Sequence, residues 1–182
     1  FAAVTQLFQV SINVQARGNT TEEALSQGRT PLVQLVHDLQ QAGAALASSS
    51  GVFTQATSTA LSFSGDLDGV ETTVTVATTT GATSVTVGST SGLAVGGTVL
   101  FADGAVKENR TLTAISGSTV TLNSGLNSSY PVGATVRSVE TVTYTFAPPA
   151  LSRSQDGGAA SQVADNLSTF SFLYQDGSTP AV

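Results

Sequence analysis

Few residues in this sequence have the types and the spacing that a catalytic or metal-binding site requires. Asp66 and Asp68 lie two residues apart before Gly69. Such a pattern opens some calcium-binding loops, because alternate carboxylates can face one hard cation. No glutamate follows at the position that would complete such a loop. The favoured interpretation is a turn between strands whose aspartates accept hydrogen bonds from local amides, with calcium binding as the alternative. No other metal or cofactor is predicted.

The single histidine, His37, lies roughly opposite the apolar positions around it when the segment is drawn at about 100° per residue. Its neighbour Asp38 would project from a different helix face, so we expect an exposed or interface histidine rather than an acid or base. Serine and threonine are abundant, yet neither a Gly-x-Ser-x-Gly elbow nor a Ser-x-x-Lys motif occurs, and cysteine is absent. The sequence therefore predicts no catalytic residue and no enzyme activity.

Four Asn-x-Ser/Thr triplets fit the acceptor pattern for N-linked glycans. They begin at Asn19, Asn109, Asn127 and Asn166. Short triplets of this kind arise by chance often in a chain rich in serine and threonine, so they are hints rather than site assignments.

Composition limits the classes of protein to which the chain can belong. Its 182 residues suffice for one domain with a core, or for one domain that carries a small inserted one. Charged residues make up only 10% of the chain, against roughly 25% in typical soluble domains. Such a low charged fraction is common in extracellular β proteins and in repetitive surface assemblies. A net charge of −6 and the lack of any basic stripe argue against a nucleic-acid-binding surface.

One long segment, residues 20–47, has a helical apolar rhythm. Thr20 followed by Glu23 fits a capping box at its start, and Pro31 predicts either a kink or the start of a second helix. We favour a kink, because the apolar positions keep the same helical spacing before and after Pro31. The apolar and small positions at i, i+3, i+4 spacing are Ala24, Leu25, Gly28, Leu32, Leu35, Val36, Leu39, Ala42, Gly43 and Leu46.

The remainder reads as strands and turns. Residues 1–17 are ambiguous, because they carry both a helical apolar row and a strand-like alternation. Residues 85–99 and 120–136 form a weak internal repeat that suggests a small pseudo-symmetric barrel or sandwich. Near copies of one strand, at 70–76 and 139–146, flank this block. We therefore predict an inserted β-rich subdomain at 79–138 in an older domain made of 1–78 and 139–182.

With the insert set aside, five short stretches in order resemble the minor pilins of the W-like class and the J-like pseudopilins of type II secretion. They are a helix that ends in an Asp-Leu-Gln-Gln-Ala-Gly run, a Gly-Asp-Leu-Asp-Gly turn, a Val-x-Tyr strand, a Leu-x-Arg step and a Phe-x-Tyr strand. The matching positions are Arg29, Asp38 to Gly43, Gly65 to Gly69, Val142, Tyr144, Leu151, Arg153, Phe172 and Tyr174.

The resemblance implies an α+β fold in which a long N-terminal helix packs on an antiparallel β-sheet, with the first half of the helix anchoring the precursor in the inner membrane. Residues 1–17 would then be the end of the anchor helix. The family's processing motif and its glutamate near the mature N-terminus are missing here. The chain opens on Phe1 without an initiator methionine, and we expect an upstream segment to have been removed. The subunit-interface candidates are Phe1, Val4, Leu7, Phe8 and Val14.

The function implied by the resemblance is that of a structural subunit which assembles into, or primes, a type IV pilus-like or type II secretion filament. Its partners would be major and minor pilin or pseudopilin subunits, and its location extracytoplasmic, at a cell-surface pilus or a periplasmic pseudopilus. The alternative is a secreted β-rich adhesin that binds a glycan or a surface through residues 80–138. That region has only Phe101 and Tyr130 as aromatic residues.

Overall fold

The computed structural model describes residues 8–11, 21–48 and 51–174, with the side chains of 31–48 and 51–173. Within these ranges the chain forms one helix, α1 (Thr21–Gln40), and twelve strands. The strands are β1 (Phe8–Ser11), β2 (Phe53–Ala56), β3 (Ala60–Gly65), β4 (Glu71–Thr73), β5 (Ser84–Thr86), β6 (Thr98–Asp103), β7 (Val106–Ser116), β8 (Thr119–Leu122), β9 (Thr135–Ala147), β10 (Ala150–Gln155), β11 (Ser161–Ala164) and β12 (Ser171–Tyr174).

The predicted α+β fold with a long N-terminal helix is wrong, because the chain is mostly β and its one described helix is short. The 20 residues of α1 span about 30 Å. In the stretch expected to end an anchor helix, Phe8–Ser11 is a strand that pairs antiparallel with β12. Of the two interpretations that the sequence left open for residues 1–17, residues 8–11 therefore follow the strand.

The structure confirms part of the helix predicted for residues 20–47 and corrects its end. It runs without interruption through Pro31, so no second helix begins there. One face is buried, with Pro31, Leu35 and Asp38 at i, i+4 and i+7 spacing. The helix ends at Gln40 rather than Ala47, because Ala42 pairs with Gly65 and the amide of Gly43 donates to the carbonyl of Ser64.

The chain divides into two compact units. The first consists of Phe1–Gln40, Phe53–Phe63 and Val142–Val182, and the second of Gln41–Val52 and Ser64–Thr141. Two of the four unit boundaries fall within β3 and within β9, and the other two lie at the end of α1 and directly before β2. The predicted insert at 79–138 lies wholly inside the second unit.

In the first unit, antiparallel pairing gives the strand order β2-β3-β9-β10-β11. Alternation along β9 places Val142, Tyr144 and Phe146 on one buried face. The core also contains a tilted contact between Phe146 and Phe170 and an edge contact between Phe170 and Phe172. Helix α1 adds Leu35 to the buried residues of this unit.

The second unit contains a closed antiparallel β-barrel. Its strands follow the order β4-β9-β6-β7-β8-β5. The circle closes where Val74, directly after β4, bridges Val87, directly after β5. The interior is apolar and includes Val85, Val99, Phe101, Leu112, Val120, Tyr130 and Val136. Closure leaves no free sheet edge in this barrel.

The weak repeat of the sequence is an internal two-fold pseudo-symmetry of the barrel. Gly96 and Gly133 occupy equivalent turns with φ of 87° and 91°, a region that favours glycine because it has no Cβ. Each glycine amide donates to the neighbouring strand segment, Gly96 to the carbonyl of Leu112 at 2.7 Å and Gly133 to that of Val74 at 2.8 Å. Two pairings between equivalent strands, β5 with β8 and β6 with β9, lie on the pseudo-axis. Neither half can therefore complete the barrel alone.

Candidate functional site

The most connected polar group in the first unit is formed by Asp38, Tyr144 and Arg153. Arg153 Nε and the Tyr144 hydroxyl both donate to Asp38 Oδ2, at 2.7 Å and 2.8 Å. Arg153 Nη2 also donates to Gln155 Oε1 at 3.2 Å. We call Asp38, Tyr144 and Arg153 the Asp38 cluster. A carboxylate with two donors, one of them charged, forms strong hydrogen bonds in a partly dry environment.

Three elements position the cluster. Asp38 lies on the buried face of α1, Tyr144 in β9, and Arg153 is paired with Tyr144 across the β9–β10 ladder. Because directly opposed residues of antiparallel strands lie on the same face, the phenol and the guanidinium reach one carboxylate together. The cluster therefore fastens the last turns of α1 to the sheet of its own unit.

Burial and the neighbouring carboxylate shift the pKa values of Tyr144 and Arg153. Burial, and then the hydrogen bond and charge of Asp38, raise the pKa of the Tyr144 hydroxyl above its usual value. Burial alone would lower the pKa of Arg153, but the hydrogen bond and charge of Asp38 outweigh it and raise that pKa. Tyr144 thus stays a neutral donor and Arg153 a cation, and neither is poised as a general acid or base near neutral pH.

The structure brings together residues that the resemblance matched from separate stretches. Asp38, Tyr144 and Arg153 came from three of the five matched segments, but their convergence was not predicted. Val142, Leu151 and Phe172 are buried in the same unit. For Arg29 and Tyr174, side-chain positions lie outside the described residues.

A second matched segment, Gly65 to Gly69, lies in the second unit. A Cβ on Gly65 would come 2.2 Å from the carbonyl oxygen of Gln41, so this position needs glycine for close approach of two backbones. Glu140 was missed from the sequence. Its buried carboxylate accepts the amides of Leu67 at 2.9 Å and Asp68 at 3.3 Å.

The calcium candidates Asp66 and Asp68 lie in this turn. Asp66 accepts the amide of Gly69 at 3.0 Å and lies 3.8 Å from the guanidinium of Arg137. Arg137 also pairs with Glu71 at 2.6 Å. The Asp66 carboxylate thus serves as a local cap, which is the turn interpretation. Within the described residues, no group of three or more His, Cys, Asp or Glu could hold a metal ion.

A third polar group, also missed from the sequence, lies in the barrel. Glu108 is buried, pairs with Arg110 and accepts the amides of Asn127 at 2.8 Å and Ser128 at 3.1 Å. Arg110 in turn donates twice to the carbonyl of Gly125. The Tyr130 hydroxyl lies buried near Glu108, outside regular hydrogen-bond geometry. Burial and then Glu108 raise its pKa. The hydrogen bonds of Glu108 and Arg110 fix the loop between β8 and β9, which is a structural role.

The exposed side of α1 is partly apolar. Val33 is 69% exposed and Val36 49% exposed, one turn apart. Leu32 and Leu39 flank them and are half-buried. We call these four residues the α1 flank. The sequence pattern had placed Val36 with the buried positions. The row of apolar side chains along α1 is wider than the helix face that is buried, so Val36 is left exposed. His37 is exposed, as predicted.

Of the five predicted subunit-interface residues, Phe8 alone lies within the described part of the chain. Phe1, Val4, Leu7 and Val14 lie outside the described residues. Phe8 is the first residue of β1, and its backbone is paired with Tyr174.

In the described part of the chain, no helix is both long and apolar enough to cross a membrane. Comparisons with family models, with curated proteins and with solved structures found no match to this chain.

Proposed function

We propose that this chain is a non-catalytic structural subunit that assembles with other protein subunits into an extracytoplasmic filament, of the kind that minor pilins and type II secretion pseudopilins help to build. The partners are pilin or pseudopilin subunits, and α1 provides the contact. This proposal concerns assembly and does not depend on a pilin-like fold.

The observation that carries the proposal is the two-sided character of α1. One side is fastened to its own sheet through the Asp38 cluster and Leu35. The other side presents the apolar α1 flank to solvent. A helix held rigidly on one face and apolar on the other is suited to packing against a second helix. The residues matched by the resemblance supply the fastening.

The glycan-binding alternative has less support. Phe101 and Tyr130, the aromatic residues of 80–138, are both fully buried in the barrel and make a ring contact with each other. Neither offers a ring face on which a sugar could stack.

The test is performed in the cells that make the protein, with filaments sheared from the surface and probed by immunoblot. A double variant, Val33→Glu with Val36→Glu, is expected to fold but to fall more than about tenfold in the filament fraction, because burying two charges in a helix contact is costly. The matched control is Val76→Glu with Val95→Glu, two valines 59% and 61% exposed in the other unit.

The control is expected to enter filaments at the wild-type level. Absence of the wild-type chain from every filament fraction would reject the proposed function. Equal loss in both double variants would reject α1 as the contact.

A further inference from the structure

We infer that Asn127, in the loop between β8 and β9, is an acceptor for N-linked glycosylation. The inference rests on the extracytoplasmic location proposed above, because glycan transfer to asparagine occurs outside the cytoplasm. The surroundings of the three described Asn-x-Ser/Thr triplets differ sharply in the structure, although all three fit the same acceptor pattern.

Asn127 and Ser129, the two residues that define the triplet, are both exposed. Among the described residues, neither side chain has a hydrogen-bond partner. The intervening Ser128 is half-buried, and the backbone is held from below by Glu108, which accepts the Asn127 and Ser128 amides. The side-chain amide of Asn127 is thus free to react without removing any side chain from the core.

Asn109 is the opposite case. Its Nδ2 donates to the carbonyl of Ala45 at 3.1 Å, and its Oδ1 accepts the amide of Ala47 at 2.7 Å. The triplet Asn109 to Thr111 lies inside β7 and is paired along β6. A glycan on this nitrogen would break the contact with residues 45–47, so folded protein cannot carry one there.

Asn166 is intermediate. Its side chain is exposed, but its backbone is left-handed at a φ of 57° and the next residue, Leu167, is buried. The Leu167 amide also donates to the carbonyl of Pro149 at 2.8 Å. A transferase that binds the three residues extended would have to pull Leu167 from the core, which lowers the reactive population about tenfold or more.

The modification requires a sugar donor activated as a lipid-linked diphosphate. The Asn127 Nδ2 forms a bond to the anomeric carbon of the first sugar, and the bond from that carbon to the diphosphate oxygen breaks. The lipid diphosphate leaves with the electron pair, and the proton lost from Nδ2 passes to a base of the transferase. No oxidant or reductant takes part.

The experiment incubates the purified, folded chain with a purified oligosaccharyltransferase and a lipid-linked oligosaccharide, and maps occupancy at each asparagine by peptide mass spectrometry. This assay does not depend on where the chain resides in cells, so it can fail independently of the proposed function. The expected result is occupancy at Asn127 at least about tenfold above Asn166 and none at Asn109. Asn19 is scored separately, because it lies outside the described residues.

Asn127→Gln and Ser129→Ala are each expected to abolish the glycopeptide, whereas Ser129→Thr retains it. Chain denatured in urea and diluted into the assay is the positive control, in which Asn109 becomes an acceptor. Occupancy of Asn109 in the folded chain equal to that of Asn127 would overturn the inference. So would an Asn127 that stays unmodified in the folded chain, whether or not the denatured chain reacts there.

Discussion

At the scale of single residues, Asp38 has a larger structural role than its place in the sequence indicates. It follows an exposed histidine on a short helix, yet its carboxylate is buried and receives both Tyr144 and Arg153. Burying a charge is tolerable only when partners satisfy it. The two partners also depend on Asp38, since the structure gives the Tyr144 hydroxyl and Arg153 Nε this one acceptor among the described side chains.

Replacing Asp38 by Asn is expected to destabilise the chain by about 3 kcal/mol, because the Arg153 guanidinium is left partly buried without its counter-charge. Tyr144→Phe keeps the ion pair and loses one hydrogen bond, so we expect a smaller cost of about 1 kcal/mol. Urea unfolding followed by circular dichroism measures both.

Gln34→Ala, on the exposed face of the same helix, is the control and should change the free energy of unfolding by less than about 0.5 kcal/mol. A cost for Asp38→Asn no larger than that of the control would show that the cluster contributes nothing to stability.

At the scale of elements, turns are held by buried glutamates that reach across the sequence. Glu140 in β9 accepts two successive amides of the turn after β3, and Glu108 in β7 accepts two successive amides of the loop after β8. Backbone amides buried without an acceptor are costly. These two carboxylates therefore order loops that have no regular secondary structure of their own.

Glu140→Gln is expected to loosen the turn at 66–69, because the neutral amide is a weaker acceptor and turns a donor toward two backbone N–H groups. The free energy of unfolding should fall by about 1 kcal/mol. Hydrogen exchange at the Leu67 and Asp68 amides should quicken selectively.

Glu71→Gln provides the comparison, since Glu71 pairs with Arg137 at the surface and such pairs contribute about 0.5 kcal/mol. Unchanged exchange at Leu67 in Glu140→Gln would contradict the assigned role of the carboxylate.

At the scale of the whole molecule, the described side chains of each unit include one buried tyrosine whose pKa is raised: Tyr144 in the first and Tyr130 in the second. The unfolded chain loses its phenolic protons near the ordinary pKa of about 10, while the folded chain retains them. The stability that these tyrosines contribute is therefore complete below about pH 10 and declines as the pH rises further.

Urea unfolding between pH 8 and pH 11.5 tests this expectation. Below pH 10 the free energy of unfolding should show no slope from these groups, and above it each tyrosine should add a fall of about 1.4 kcal/mol per pH unit. Tyr144→Phe and Tyr130→Phe should each remove one such contribution. Slopes identical to wild type in both variants would show that neither phenol is responsible.

The sequence by itself determined the local elements. The helical apolar rhythm located α1, the rest of the chain read as strands and turns, and the short repeat indicated a pseudo-symmetric β module. The exposure of His37 also followed from helical periodicity. These features depend on neighbours in the chain, which a sequence displays directly.

Tertiary structure alone decided what distant residues do. The helix stops at Gln40 because residues 42 and 43 pair with residues 64 and 65. Residues 8–11 form a strand because a partner strand, β12, is available. Asp38 joins residues more than one hundred positions away, and Glu140 and Glu108 act on loops that periodicity does not connect to them. Pairing over such separations depends on the path of the chain in space, so no local pattern could have predicted it.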